Sequence, residues 1–226
     1  MYAQTTAHGK VTIYPESDGK PMAETDIHRN LLADLVFTLE NHFREQPDVY
    51  VSGNLLVYYV EGNPAKCFAP DVFVVRGVQK GQRRIYKLWE EGVAPQVVIE
   101  LTSRKTWRED LQTKWRLYEE LGVQEYFIFD PEYDYLDDPL VGYRLEDGKY
   151  AALEINDRRI KSEVLGLELV DTGETLRLFD PITGQVLPNT NESAIAYQKL
   201  QEAQKQTAEL EATLARYREQ FGDLPK

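Results

Sequence analysis

The sequence predicts an α/β domain followed by a long C-terminal helix, and three observations carry that expectation. Two short runs, "DVFVVR" (71–76) and "QVVIELT" (96–102), are apolar on both faces, as in strands at the centre of a covered sheet. A helical segment joins the second run to "EYFIFD" (125–130), and such a strand–helix–strand unit favours a parallel crossover. From about residue 141, paired runs flank Asp147-Gly148 and the stretch Asp171–Gly173, which predicts antiparallel hairpins extending the same domain.

The remaining elements follow in order. Residues 1–23 read as irregular and partly on the surface. "TDIHRNLLADLVFTLENHF" (25–43) places apolar residues at 27, 31, 35, 39 and 43, with 32 and 36 beside them, which is a helical stripe. Thr25 and Asp26 suit its start. "NLLVYYVE" (54–61) reads as a further strand. In "TWREDLQTKWRLYEELG" (106–122), Thr106 and Glu109 form a T-x-x-E capping box and Gly122 is placed to end the helix.

Pro188-Asn189 closes this region, so the expected organisation is a domain over 1–188 and a helix over 189–226. In the tail, Ala196, Leu200, Ala203, Thr207, Leu210, Leu214, Tyr217 and Phe221 fall at alternating 4- and 3-residue steps. That is a heptad seam, weakened by Thr207 and two alanines. The expectation is a short coiled coil and a homo-oligomer, with a dimer favoured. The alternative is an amphipathic helix packed on its own domain.

The net charge of −12 argues against nonspecific binding along nucleic-acid backbones. Charge is not uniform, however. "RGVQKGQRRIYK" (76–87) and "SRKTWR" (103–108) carry no acid and directly follow the two central runs. No run approaches the length of a membrane span, and no signal peptide is expected. Cys67 is the only cysteine, which excludes an internal disulfide and fits a reducing cytoplasm. A nucleophile elbow, a P-loop, a dinucleotide fingerprint and zinc spacing are all absent from the sequence.

Each central run holds one carboxylate, Asp71 or Glu100, and a buried carboxylate is costly unless it is compensated. Strand alternation puts Asp71 with Phe73 and Val75, and Glu100 with Val98 and Thr102. If the strands are neighbours, both carboxylates face one cleft. Two such groups repel, and one takes up a proton unless a cation lies between them. Mg²⁺ suits that position, with the Leu101 carbonyl as a third protein ligand. The chemistry served is metal-assisted hydrolysis of a phosphodiester. Lys114 shares a helix face with Asp110 and Tyr118, and its ammonium can orient the attacking water. His28 reads as a core or surface histidine, and Glu24 as a helix-terminus charge.

"PDVFVV", then "VIELTS" about 25 residues later, then "REDLQTKWRLYEELGVQEYFIFDP" resemble the Uma-two family of bacterial endonucleases, within the restriction-endonuclease-like PD-(D/E)XK superfamily. The resemblance covers about residues 20–185, and its most specific part surrounds Lys114. It implies a restriction-endonuclease-like fold, a mixed β-sheet core flanked by helices, and Mg²⁺-dependent cleavage of DNA, with Mn²⁺ as a substitute. Asp71 matches the aspartate of the PD motif and Glu100 the (D/E). The superfamily lysine belongs two residues after Glu100, where this chain has Thr102. Lys114 restores the trio from the next helix, with Lys105 as the fallback. Glu24 matches an additional acidic residue that some superfamily members carry on the first helix.

Two other classes compete with this reading. A degenerate nuclease fold that binds nucleic acid or protein is favoured by Thr102 and by the net charge. A scaffold would use the coil as its functional element.

Overall fold

The computed structural model describes residues 2–5, 11–17, 19 and 25–222, which form two compact units, Met1–Leu187 and Pro188–Lys226. In the first unit β1 (Tyr2–Thr5) and β2 (Val11–Tyr14) form an antiparallel pair. Helix α1 (Asp26–His42) is capped by Thr25, whose hydroxyl accepts the His28 N–H. Then come β3 (Val49–Ser52), β4 (Val57–Tyr58), β5 (Cys67–Phe68), β6 (Val72–Arg76), β7 (Tyr86–Lys87), the single-turn α2 (Leu88–Glu91) and β8 (Val97–Leu101). Helix α3 (Trp107–Glu109) runs through a π turn (Asp110–Lys114) into α4 (Trp115–Leu121), which Gly122 ends in a left-handed conformation. Strands β9 (Glu125–Phe129), β10 (Leu140–Glu146) and β11 (Lys149–Ala152) precede β12 (Arg159–Ser162), β13 (Leu167–Asp171), β14 (Leu176–Asp180) and β15 (Gln185–Val186).

The central sheet has the order β11-β10-β9-β8-β6-β3. It is mixed: β8 and β9 are parallel, and the other neighbours are antiparallel. The crossover through α3 and α4 has the geometry the strand–helix–strand pattern predicts. Both faces of the sheet are covered, which explains the two-sided apolar runs. On one face, Val72, Val74, Val97 and Ile99 pack with Leu31, Leu35 and Leu39 of α1 and with Leu167, Leu169 and Leu178 of the second sheet. On the other, Phe73, Val75, Val98 and Ile128 pack with Tyr118 of α4 and with Val57, Phe68 and Tyr86 of the small β5-β4-β7 sheet. Alternation along β6 and β8 therefore sorts side chains between an aliphatic core and an aromatic one.

Several elements differ from the sequence-based reading. Within 1–23 the chain forms β1 and β2, and Tyr14 is buried against Leu56 and Tyr58. The strand beside β6 is β3, and "NLLVYYVE" contributes only Val57–Tyr58 to a separate sheet. The cause is local: Gly53 and a positive φ of 50° at Asn54 turn the chain away after Ser52. The Asp147-Gly148 hairpin does extend the central sheet, with positive φ at both turn residues. The next hairpin lies in the same unit, in the sheet β12-β13-β14-β15. Thr106 does not cap its helix; its hydroxyl accepts the Ser103 N–H at 3.0 Å and folds the preceding loop.

The second unit is helix α5 (Thr190–Phe221). Its start is a reciprocal capping box, in which Asn189 accepts the Glu192 N–H and Glu192 accepts the Asn189 N–H. None of its residues is buried, and Leu210 is 70% exposed. Among the described residues no helix is long and apolar enough to cross a membrane.

Gly53 marks a close approach that reaches the carboxylates. A Cβ there would overlap the Asp71 carbonyl oxygen, and the Asn54 N–H donates to the Pro70 carbonyl beside it at 2.9 Å. Gly53→Ala is expected to destabilise the domain by about 1–3 kcal/mol through this overpacking. Thermal unfolding checks it, and an unchanged midpoint would show that the backbone at Asp71 yields freely.

Candidate active site

Pro70 ends the preceding loop and Asp71 stands immediately before β6. The antiparallel register sets Val72 opposite Ile99, and its continuation sets Asp71 opposite Glu100. Each carboxylate is then tied to the backbone of the facing segment. The Leu101 N–H donates to Asp71 Oδ2 at 2.8 Å, and the Asp71 N–H donates to Glu100 Oε2 at 3.3 Å. Both groups lie on the aromatic face, as alternation requires.

Glu100 is completely buried. Its Oε1 accepts the Tyr118 hydroxyl at 2.6 Å, and its Oε2 lies 2.9 Å from Lys114 Nζ. Lys114 also lies 2.9 Å from Asp110 Oδ1, and Asp110 Oδ2 accepts the Thr102 hydroxyl at 2.9 Å. The Tyr126 hydroxyl donates to the Asp110 carbonyl at 3.0 Å, inside the π turn. That turn widens the helix where Lys114 leaves it, and such insertions are frequent at functional sites. Thr102, where the superfamily pattern has a lysine, thus anchors the helix that delivers one. Lys105 is exposed on the loop, and Lys114 is the lysine that reaches Glu100.

His28 completes the cluster from the first turn of α1. Its Nε2 lies 2.9 Å from the Leu101 carbonyl oxygen and 3.4 Å from Asp71 Oδ2. A carbonyl only accepts, so Nε2 carries the proton in this contact. The ring thereby bridges two atoms that the sequence reading offers as metal ligands.

The electrostatics are uneven. Three carboxylates, Asp71, Glu100 and Asp110, surround one ammonium. Burial raises the Glu100 carboxyl to about 8, with Asp71 and Asp110 adding to the rise and Lys114 opposing it. Burial also pushes Asp71 up, but the His28 hydrogen bond, Lys114 and the Leu101 N–H outweigh it and hold that carboxyl below its usual range. Lys114 loses stability of its charge to burial, yet Glu100, Asp110 and Asp71 keep it above the ordinary lysine range. Tyr118 is driven well up by burial and by Glu100, so it remains a donor.

Among the described residues no cluster of three or more His, Cys, Asp and Glu side chains is spaced to hold a metal ion. The oxygen donors brought together are two carboxylates and the Leu101 carbonyl, and the carbonyl already accepts from His28. That set fits Mg²⁺, which keeps several waters and shares its coordination with substrate phosphate.

The structure brings Asp71, Glu100, Leu101 and Lys114 into one cluster. Glu24 lies outside the described residues. Sequence reasoning set His28 aside, because nothing in the local pattern signals a contact with Leu101, 73 positions away. Asp110 and Tyr118 carry a signal in their four-residue spacing from Lys114, which gives a shared face but not the bond from Tyr118 to Glu100.

Among solved structures the chain is similar to a "putative nuclease belonging to DUF820" from Anabaena variabilis, at 14% identity and a TM-score of 0.47, over 72% of this chain and 82% of that one. No curated protein matches the chain. The model of the Uma2 family, described as "Putative restriction endonuclease", matches residues 11–173, and the chain belongs to that family.

Proposed function

We propose that this chain is a metal-dependent endonuclease that hydrolyses phosphodiester bonds in DNA. The observation that carries the reading is the cluster itself, with Asp71 and Glu100 facing each other across β6 and β8 and Lys114 2.9 Å from Glu100. Asp71, Glu100 and the Leu101 carbonyl would hold Mg²⁺ or Mn²⁺, which supplies a lowered pKa for a water and charge neutralisation on phosphoryl oxygens. Lys114 holds its proton, orients the attacking water and offsets charge on the phosphate. Asp110 and Thr102 fix the lysine, Tyr118 fixes Glu100, and His28 holds Asp71 against Leu101. The family assignment supports a nuclease, and a reducing cytoplasm suits a chain whose single cysteine is Cys67.

A second copy of the chain is the proposed partner of α5. Leu200, Leu210, Leu214, Tyr217 and Phe221 are exposed along the heptad seam, and a two-stranded coil would cover them. Two catalytic domains joined this way suit cleavage of both strands of a duplex.

Cleavage of supercoiled and linear DNA tests the central reading. Asp71→Ala, Glu100→Ala and Lys114→Ala are each expected to abolish cleavage, a loss of at least about 100-fold for a group that stabilises developing charge. Retained cleavage in Asp71→Ala or Glu100→Ala would overturn the assignment. Binding of DNA with no cleavage by the wild type in either metal would favour the degenerate, binding-only class.

The Glu100 pKa adds a pH prediction. Its folded value of about 8 exceeds the ordinary 4.5, so the folded state holds the proton more tightly than the unfolded chain. That stabilisation is complete below the unfolded value and is lost as pH rises through the folded one. Asp71, held low, is already ionised in this window. Metal-free wild type should therefore lose thermal stability relative to Glu100→Gln between about pH 5 and about pH 8. Parallel pH profiles of the two proteins would contradict it.

Light scattering tests the tail. Removal of residues 190–226 is expected to halve the particle mass beyond the deleted residues' own share. A mass that falls only by those residues would remove the coil from the account.

A further inference from the structure

The chain's basic residues fall into two groups that the sequence does not separate. In 76–87 every cation is engaged within the fold. Arg83 pairs with Glu91, Arg84 with Glu16 and Lys87 with Glu90. Lys80 donates to the Phe43 and Arg44 carbonyls at the end of α1, and Arg76 donates to the Val164 carbonyl. This stretch staples the structure. The segment 103–108 is different. Arg104, Lys105 and Arg108 are exposed and, among the described residues, make no ion pair. In a chain of net charge −12 with 38 acids, three unpaired cations within five positions form a basic turn, bounded by the exposed Glu109.

Their placement is fixed from both sides. The loop leaves β8 directly after Glu100 and Leu101. The Ser103 N–H donates to the Thr106 hydroxyl at 3.0 Å, the Lys105 N–H donates to the Ser103 hydroxyl at 3.3 Å, and the Trp107 N–H donates to the Ser103 carbonyl at 3.0 Å. The far side is anchored by Asp110 to Thr102. The cations thus stand on a folded turn next to the carboxylate cluster. Trp107 adds an aromatic surface. It is half-buried, belongs to none of the core clusters, and carries the Arg108 guanidinium 4.7 Å from its ring centroid. A guanidinium held over an indole makes a cation–π contact that leaves its N–H donors for phosphate oxygens.

We infer that Arg104, Lys105 and Arg108 form the site that grips the sugar-phosphate backbone of a nucleic-acid strand, with Trp107 as a stacking surface for one base. This deepens the nuclease reading and rests on it for the proximity of the grip to the reacting phosphate. The element explains how a chain of net charge −12 meets a polyanion: one short positive turn does the binding. Stacking on an indole is tolerant of base identity, so the grip fixes position without reading sequence.

Fluorescence anisotropy of a labelled oligonucleotide, single-stranded and duplex, tests this on the full chain with Ca²⁺ present over a range of salt. The comparison is wild type against the triple variant Arg104→Ala/Lys105→Ala/Arg108→Ala. The expected result is weaker binding and a slope of log K against log salt reduced by about 2 to 3. Tryptophan fluorescence of the wild type should be quenched by the oligonucleotide, and Trp107→Phe should remove most of that quench while Trp89 and Trp115 remain. An unchanged affinity and slope in the triple variant overturns the inference, and so does a wild type that binds neither oligonucleotide. If the wild type cleaves and the triple variant has an unchanged KM, the grip fails and the nuclease reading stands. If the wild type binds through these residues but cleaves in neither Mg²⁺ nor Mn²⁺, the grip stands and the catalytic reading fails.

Discussion

The burial of Glu100 is the constraint on which the rest of the site depends. A carboxylate with no solvent exposure, at the end of a central strand, must find its partners inside the fold. It finds Tyr118 and Lys114 on the crossover helix and the Asp71 backbone on the neighbouring strand. Each partner brings its own requirement. Lys114 needs Asp110, and Asp110 needs Thr102. Asp71 needs the Leu101 N–H and His28, and His28 fixes the first turn of α1 above the strand ends. The aromatic face of the sheet is thus organised around one buried carboxyl group. With its carboxyl raised to about 8, Glu100 keeps a proton in the metal-free chain unless a further cation replaces it.

Much of this was legible in the sequence because it is local or periodic. The central strands announce themselves by two-sided apolar runs, the crossover by its helix, and the hairpin at Asp147-Gly148 by residues that accept positive φ. Asp71 and Glu100 stand out as acids in apolar runs. Lys114 stands out by its spacing from Asp110 and Tyr118. The register that sets Asp71 against Glu100 was readable only as a condition on two strands being neighbours.

The illegible parts have physical reasons. β3 is four residues long and continuous with a more apolar run, so the longer run attracted the strand assignment. The turn at Gly53 and Asn54 depends on a close approach to Asp71 that no local rule encodes. His28 acts through a contact across 73 positions. The basic stretch 76–87 could not be told from 103–108 by composition, because the difference lies in which cations the fold has already paired. Thr106 had the residue type of a cap, and the loop's own hydrogen bonds took its hydroxyl first.

The central claim is that a divalent cation belongs between Asp71 and Glu100, and calorimetric titration of Mn²⁺ into the metal-free chain and into Asp71→Ala tests it most directly. The account predicts heat of binding in the wild type, with proton release from Glu100, and its loss in the variant. Equal binding by both proteins would place the ion elsewhere. No uptake by the wild type, even with a phosphodiester present, would contradict the account.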